Sequence, residues 1–466
     1  MSVTTAATNA PLRRELGLAA VGAVVVGDML GSGIFFTPGE LAASARAPWQ
    51  VYLLWTLAGG ITLCGALTLA ELASRLPHAG APFHIILDSF GPFWAFLMIW
   101  MQVLVAGPGS IAGLAIAFGE FATRFGAELE LAVRWPAAAW GTAAIAFFAG
   151  VNLLGVRWGG RTQITLTILK IGGLLVLVGG SLWLVDRAAA APIVEPVLQP
   201  RTAGVVEFLR VMGLGIAAVL FTYDGWIDVS YLSAEIKDPR RTLARALGFG
   251  VATVTLLYVL ANYAYLRVLP LEAMRENPAT IASDVARAAF GPTGGALLNG
   301  LIIVSIFGAL GGLIMTLPRL YYAAAAQYTA ESLGAARIFA PLAIVTTRSA
   351  VPSGSLLFAS AAAILAVFFF GTFSRIVNFF VVPLQLANIL MVAAIFPMRR
   401  RTPHPADAYR SPAYPLLPLV YIATIAVFLA TAIVFHPYEA LAGVGLTLLG
   451  WPAYVWMHKF NDDHNQ

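Results

Sequence analysis

Apolar residues in this chain arrive in long unbroken blocks separated by short polar breaks, with no sustained apolar–polar alternation. A helix needs about 20 mostly apolar residues to cross the hydrocarbon of a bilayer. Twelve blocks satisfy that length, near 17–44, 50–75, 93–123, 136–154, 162–185, 207–233, 243–268, 294–326, 353–370, 374–397, 414–435 and 439–457. Outer-membrane barrels alternate lipid-facing and lumen-facing residues, so blocks of this kind exclude a barrel. The pattern predicts an all-α polytopic membrane protein with twelve transmembrane helices.

Spans one and six depart from simple helices. Span one reads VVVGDMLGSGIFFTPGELA, with Gly27, Gly31 and Gly33 and the acid Asp28 at membrane depth. Span six reads GLGIAAVLFTYDGWIDVSYL, with Asp224, Gly225 and Asp228 near its middle. Glycine weakens a helix by about 1 kcal/mol relative to alanine, and a central Asp costs more on insertion scales. The two anomalies open two five-span units, 17–185 and 207–397, followed by two further spans over 398–457 and flanked by tails at 1–16 and 458–466. An odd-numbered unit repeated in tandem inserts its second copy inverted. Paired, interrupted helices in two such halves point to a central binding site. Any single glycine here could equally serve close helix packing; the Gly31-Ser32-Gly33 cluster beside an acid, echoed in span six, is not explained by packing alone.

Composition narrows the class further. Of 466 residues, 59% are hydrophobic and 11% charged, less than half the roughly 25% charge of a soluble domain. That excludes a soluble enzyme, a nucleic-acid binder and a disordered chain. The net charge of +5 resides largely in clusters such as Arg13/Arg14, Arg157/Arg161, Lys237/Arg240/Arg241/Arg245 and Arg399/Arg400/Arg401. All lie on the side of the termini, which predicts cytoplasmic termini in a multi-pass protein of the inner (cytoplasmic) membrane. A single cysteine, Cys64, excludes an intrachain disulfide, and no metal site or cofactor is expected.

A break at Gly31-Ser32-Gly33 would start a half-helix from Ile34, whose free N–H groups suit a carboxylate. Breaking at Phe221-Thr222-Tyr223-Asp224-Gly225-Trp226 frees carbonyl oxygens that can accept from an ammonium group. Together they describe a zwitterionic α-amino acid. Lys170 lies deep inside span five, either snorkelling to the interface or acting as a fixed cation beside the span-one break, with Asp28 as its counter-ion. Asp224 either lines the cavity or caps the lower half of span six. Tyr223 and Trp226 are expected at the pocket wall. Ser305 of span eight either faces Lys170 or bonds its own helix. Glu71 and Arg75 read as a local i, i+4 pair.

GSGIF at Gly31 to Phe35, Lys170, FTYDGW at Phe221 to Trp226, EIKDPRR at Glu235 to Arg241 and PRL at Pro318 to Leu320 together resemble the amino acid–polyamine–organocation superfamily. Within it the resemblance is to the L-type amino acid transporter and bacterial permease branch, from about Arg13 to His458. It implies the leucine-transporter-type fold, a five-plus-five inverted repeat with helices 1 and 6 broken, alternating access, and sodium-independent exchange or uptake. It also gives Ser32 and Gly33 to the substrate carboxylate, main-chain carbonyls near Met29, Phe221 and Asp224 to the amine, Phe221 to an aromatic gate, and Lys170 to the link with the span-one break. Asp28 departs from the uncharged residue usual there, leaving the coupling ion, a proton among the candidates, open. No cysteine lies between spans three and four, which argues against a disulfide-linked accessory subunit.

The expectation is a secondary active transporter of neutral α-amino acids, with a polyamine or other amine-solute permease of the same fold as the alternative. A membrane-embedded enzyme would need paired acids, metal-binding histidines or an activated nucleophile at one depth. The six histidines fall in loops, at span ends or in the tail. A channel would need a pore-lining ring of charge.

Overall fold

The computed structural model describes residues 12–128, 135–185, 215–216, 218–330, 336–370, 373–435 and 437–462. Among the described residues, apolar helices stand at eleven of the twelve expected spans, and span six is described in part. Among the described residues, nine stretches are long and apolar enough to cross a bilayer, including Pro48–Arg75, Pro92–Glu128, Val156–Trp183 and Pro239–Val268. Two shorter apolar helices, Ala137–Leu153 and Ser353–Phe369, stand at spans four and nine. Span six is described from 215 onward; its expected start at 207, the boundary at 185–207 and the outer parts of both tails lie outside the described residues.

Span one consists of two helices, Leu18–Met29 and Gly33–Ser44, separated by a non-helical stretch at 30–32. Span six is helical to 222, turns through 223–227, and resumes as a tight 3-10 segment over Asp228–Glu235. Both interruptions predicted from glycine content are therefore present. Gly225 explains the second, because its φ of +103° disfavours a side chain. A Cβ there would also sit 3.0 Å from the carbonyl carbon of Asp28, so the two breaks touch across this glycine.

Span three contains a further irregularity that the apolar pattern does not announce. A π-turn over Gln102–Ala106 joins Pro92–Met101 to Gly107–Glu128. Such turns rotate the following side chains out of normal helical phase and recur at functional sites.

Candidate functional site

The breaks border a cavity of about 600 Å³. Its floor is formed by Asp28, Met29, Gly31, Ser32 and Gly33 of span one and by Phe221, Thr222, Asp224, Gly225 and Asp228 of span six. Span three contributes Gln102 and Ser110, span ten Leu384 and Asn388, and span eleven Phe428 and Thr431. The cavity extends along span one to the exposed Glu40, on the side away from Leu16.

Two polar side chains hold the breaks open. Lys170 is 1% exposed, and its ammonium donates to the carbonyl oxygens of Gly27 at 2.6 Å and Leu30 at 3.0 Å. These carbonyls lose helical partners where Leu18–Met29 ends, so a buried cation meets buried orphan acceptors. Tyr258 of span seven approaches both breaks. Its hydroxyl donates to Met29 O at 2.6 Å and lies 3.2 Å from Thr222 O. The second half of span one and the first half of span six are joined by the Thr37 and Thr222 hydroxyls at 2.8 Å, and Gly33 is the small residue that lets Thr222 approach.

The structure corrects the expected Lys170–Asp28 ion pair. Asp28 instead accepts a long 3.4 Å bond from Gln163 Nε2 and packs against Gly312, while its Oδ2 is buried without a partner. The cause is helical phase: Asp28 follows Gly27 by about 100°, so its side chain leaves the helix on a different face from the carbonyls that draw in the lysine. Ser305 is buried, with no hydrogen bond to Lys170 among the described residues; the lysine stem packs on Gly308, one turn farther along span eight.

Two aromatic placements also change. Tyr223 is fully buried, donates to Trp55 O at 3.0 Å and packs against Trp55 and Tyr258. Trp226 packs against Tyr421. Neither lines the cavity, and neither does Ile34, which is 1% exposed. Met29, Ser32, Gly33, Phe221 and Asp224 do. The Met29 carbonyl, however, already accepts from Tyr258. Sequence reasoning missed Tyr258 and Gln102, and it noted Asp228 as an acid at membrane depth without assigning it to the site.

Opposite the open end, ion pairs fasten the helices. Glu235 and Arg319 form a two-pronged pair, both contacts 3.1 Å, at 1% and 0% exposure. Glu71 accepts from Arg75 and Arg399 and from the Ser411 N–H, so it is the centre of a four-part node rather than one partner of a local pair. Arg399 also lies over the Tyr414 ring at 4.1 Å. Here too the segment just before span one is anchored, through Glu15–Arg157 at 3.0 Å and backbone bonds from Glu15 and Leu16 to Glu235 O.

The sequence profile of the family described as amino acid permease matches residues 16–457. This chain belongs to that family. The permease is 28% identical over 451 residues to the serine/threonine exchanger SteT of Bacillus subtilis, covering 96% of this chain and 98% of the exchanger. It is 26% identical to the human large neutral amino acids transporter small subunit 2, over 96% of this chain and 82% of that one. Among solved structures, Mhp1, a nucleobase-cation-symport-1 family transporter in a closed conformation, superposes with a TM-score of 0.51 at 15% identity, covering 98% of this chain and 96% of Mhp1. That likeness concerns the fold alone. The permease is a membrane transporter and not an enzyme.

Proposed function

We propose that the permease moves neutral α-amino acids across the inner membrane by alternating access, without sodium, by exchange or with a proton. The observation that carries this reading is the cavity between two interrupted helices. At one break Ser32 and Gly33 present backbone and hydroxyl donors to a carboxylate, while the Gly31 N–H is held by Met29 O at 2.9 Å. At the other, the turn at 223–227 releases span-six carbonyls to an ammonium group. Lys170 supports sodium independence: its ammonium occupies the position between Gly27 O and Leu30 O where a monovalent cation would otherwise neutralise the carbonyls. The names of the exchanger and of the large-neutral transporter support the substrate class.

Cytoplasmic termini follow from the arginine-rich loops, and the ion-paired side is then the inner, closed one while the cavity opens outward. Cys64, within the helix Pro48–Arg75, is the sole thiol and supports a transporter without a disulfide-linked subunit. A thermal-shift screen of the purified protein against all common amino acids and polyamines tests the reading. Stabilisation by neutral α-amino acids is expected, growing with ligand concentration as RT ln(1 + [L]/Kd). Stabilisation by polyamines alone would overturn it.

A further inference from the structure

Four carboxyl side chains line the cavity, those of Asp28, Glu40, Asp224 and Asp228, and no lysine, arginine or histidine does. Asp28 and Asp228 stand on opposite sides of the contact between the breaks: Asp28 in the last turn of Leu18–Met29, Asp228 at the first position after the span-six turn. Asp28 is 9% exposed, and its Oδ2 is buried with no hydrogen-bond partner. Such an oxygen is costly to bury as an anion and needs a positive charge or a proton.

Of the surrounding groups only Lys170 is a cation near enough to act on Asp28, and it does so through space, without a direct ion pair. From span five, Lys170 has turned its ammonium to Gly27 O and Leu30 O, and Gln163 reaches only Oδ1. From span six come Asp224, Asp228 and Tyr231, two acids and a phenol. Span seven presents Tyr258, whose hydroxyl bonds backbone carbonyls, and span eleven Tyr421, packed on Trp226. Span eight offers Gly312; its Arg319, about two turns farther, is held by Glu235.

We infer that Asp28 and Asp228 together form the permease's proton site, taking one proton from the open cavity with each amino acid. This rests on the amino acid reading above and adds the identity and seat of the coupled ion. Two acids sharing one cavity cannot both ionise cheaply, so the first proton is held jointly. A zwitterion carries no net charge, so the cycle moves one positive charge. Because one acid rides on each broken helix, a relative tilt of the two changes the affinity for the proton. By linkage the proton then changes the affinity for the amino acid by the same factor.

The test is transport by proteoliposomes containing a trapped pH dye. With a neutral amino acid outside, the expected result is uptake driven by an inward proton gradient, accompanied by internal acidification and accelerated by an inside-negative potential. In Asp28→Asn and Asp228→Asn the amide imitates the neutral acid, and protons moved per amino acid should fall by about tenfold or more. Wild-type exchange without acidification overturns the inference and leaves the amino acid reading standing. So does electrogenic uptake of lysine or ornithine without proton movement, since the substrate's own side chain then fills the site. Absence of any amino acid flux in the wild type overturns both.

Discussion

Two sets of buried carboxylates divide the permease, and they are treated in opposite ways. At the ion-paired end, Glu235 and Glu71 are matched to arginines, with every prong directed. Around the cavity, Asp28 and Asp228 both line the wall, Asp28 meeting only Gln163, with no arginine among the lining residues. A buried carboxylate with a permanent guanidinium is fixed in charge and place. One without it is free to exchange its counter-charge with whatever enters. The difference separates fastening from binding within one molecule and one residue type.

Removing the fastening has the largest expected effect. Arg319→Ala strands Glu235 at 1% exposure, and breaking a buried pair from one side costs about 3–5 kcal/mol. Loss of monodisperse protein in detergent, or a large fall in Tm, is the expected outcome. By contrast, Asp28→Asn should leave thermal stability within about 1 kcal/mol of wild type, because it removes an unpaired acid. If the two variants are equally damaged, the division between the two sets fails.

A substitution at the floor of the cavity comes next. At Gly33 a Cβ would fall 2.5 Å from Thr222 Cγ2. Gly33→Val should therefore prise the half-helix Gly33–Ser44 from span six and abolish stabilisation by every amino acid, while Thr222→Ala in the same chain restores part of it. Loss confined to one amino acid would mean that this segment reads side chains instead of the shared carboxylate.

The smallest effect concerns a base outside the spans. On the short helix Ala81–Phe90, burial and the neighbouring His78 push His84 down from 6.5 to about 4. The unfolded chain then takes up a proton before the folded one does. His84 thus contributes full stability above pH 6.5, and that contribution is lost as pH falls towards 4. Thermal unfolding in detergent should show a lower Tm at pH 5 than at pH 7, with a smaller drop in His84→Phe. An unchanged drop in the variant would place the sensitivity elsewhere.

Much of this was legible in the chain. Spans follow from block length alone, and both breaks from glycines set beside acids where apolar residues belong. The depth of Lys170 announced a function, yet not its partners: a side chain's neighbour depends on helical phase, and one residue's rotation sent Asp28 to Gln163 while the lysine met carbonyls. Tyr223 and Trp226 were misplaced because an unwound segment has no period from which to read direction. Tyr258 left no trace at all, since a tyrosine joining two breaks looks like any aromatic in a membrane helix. The π-turn at Gln102–Ala106 was hidden for the same reason: its effect is a change of phase within an apolar run.

One tether has a mechanical consequence. Arg275, on the short helix Leu271–Glu276, donates to Ala42 O at 2.8 Å and also to Ala45 O, and Gly39 lies directly under the Pro278 backbone. The second half-helix of span one is thus yoked to the segment that carries Arg275 and Pro278. A tilt of Gly33–Ser44 would therefore carry Leu271–Glu276 and Pro278 with it as one piece.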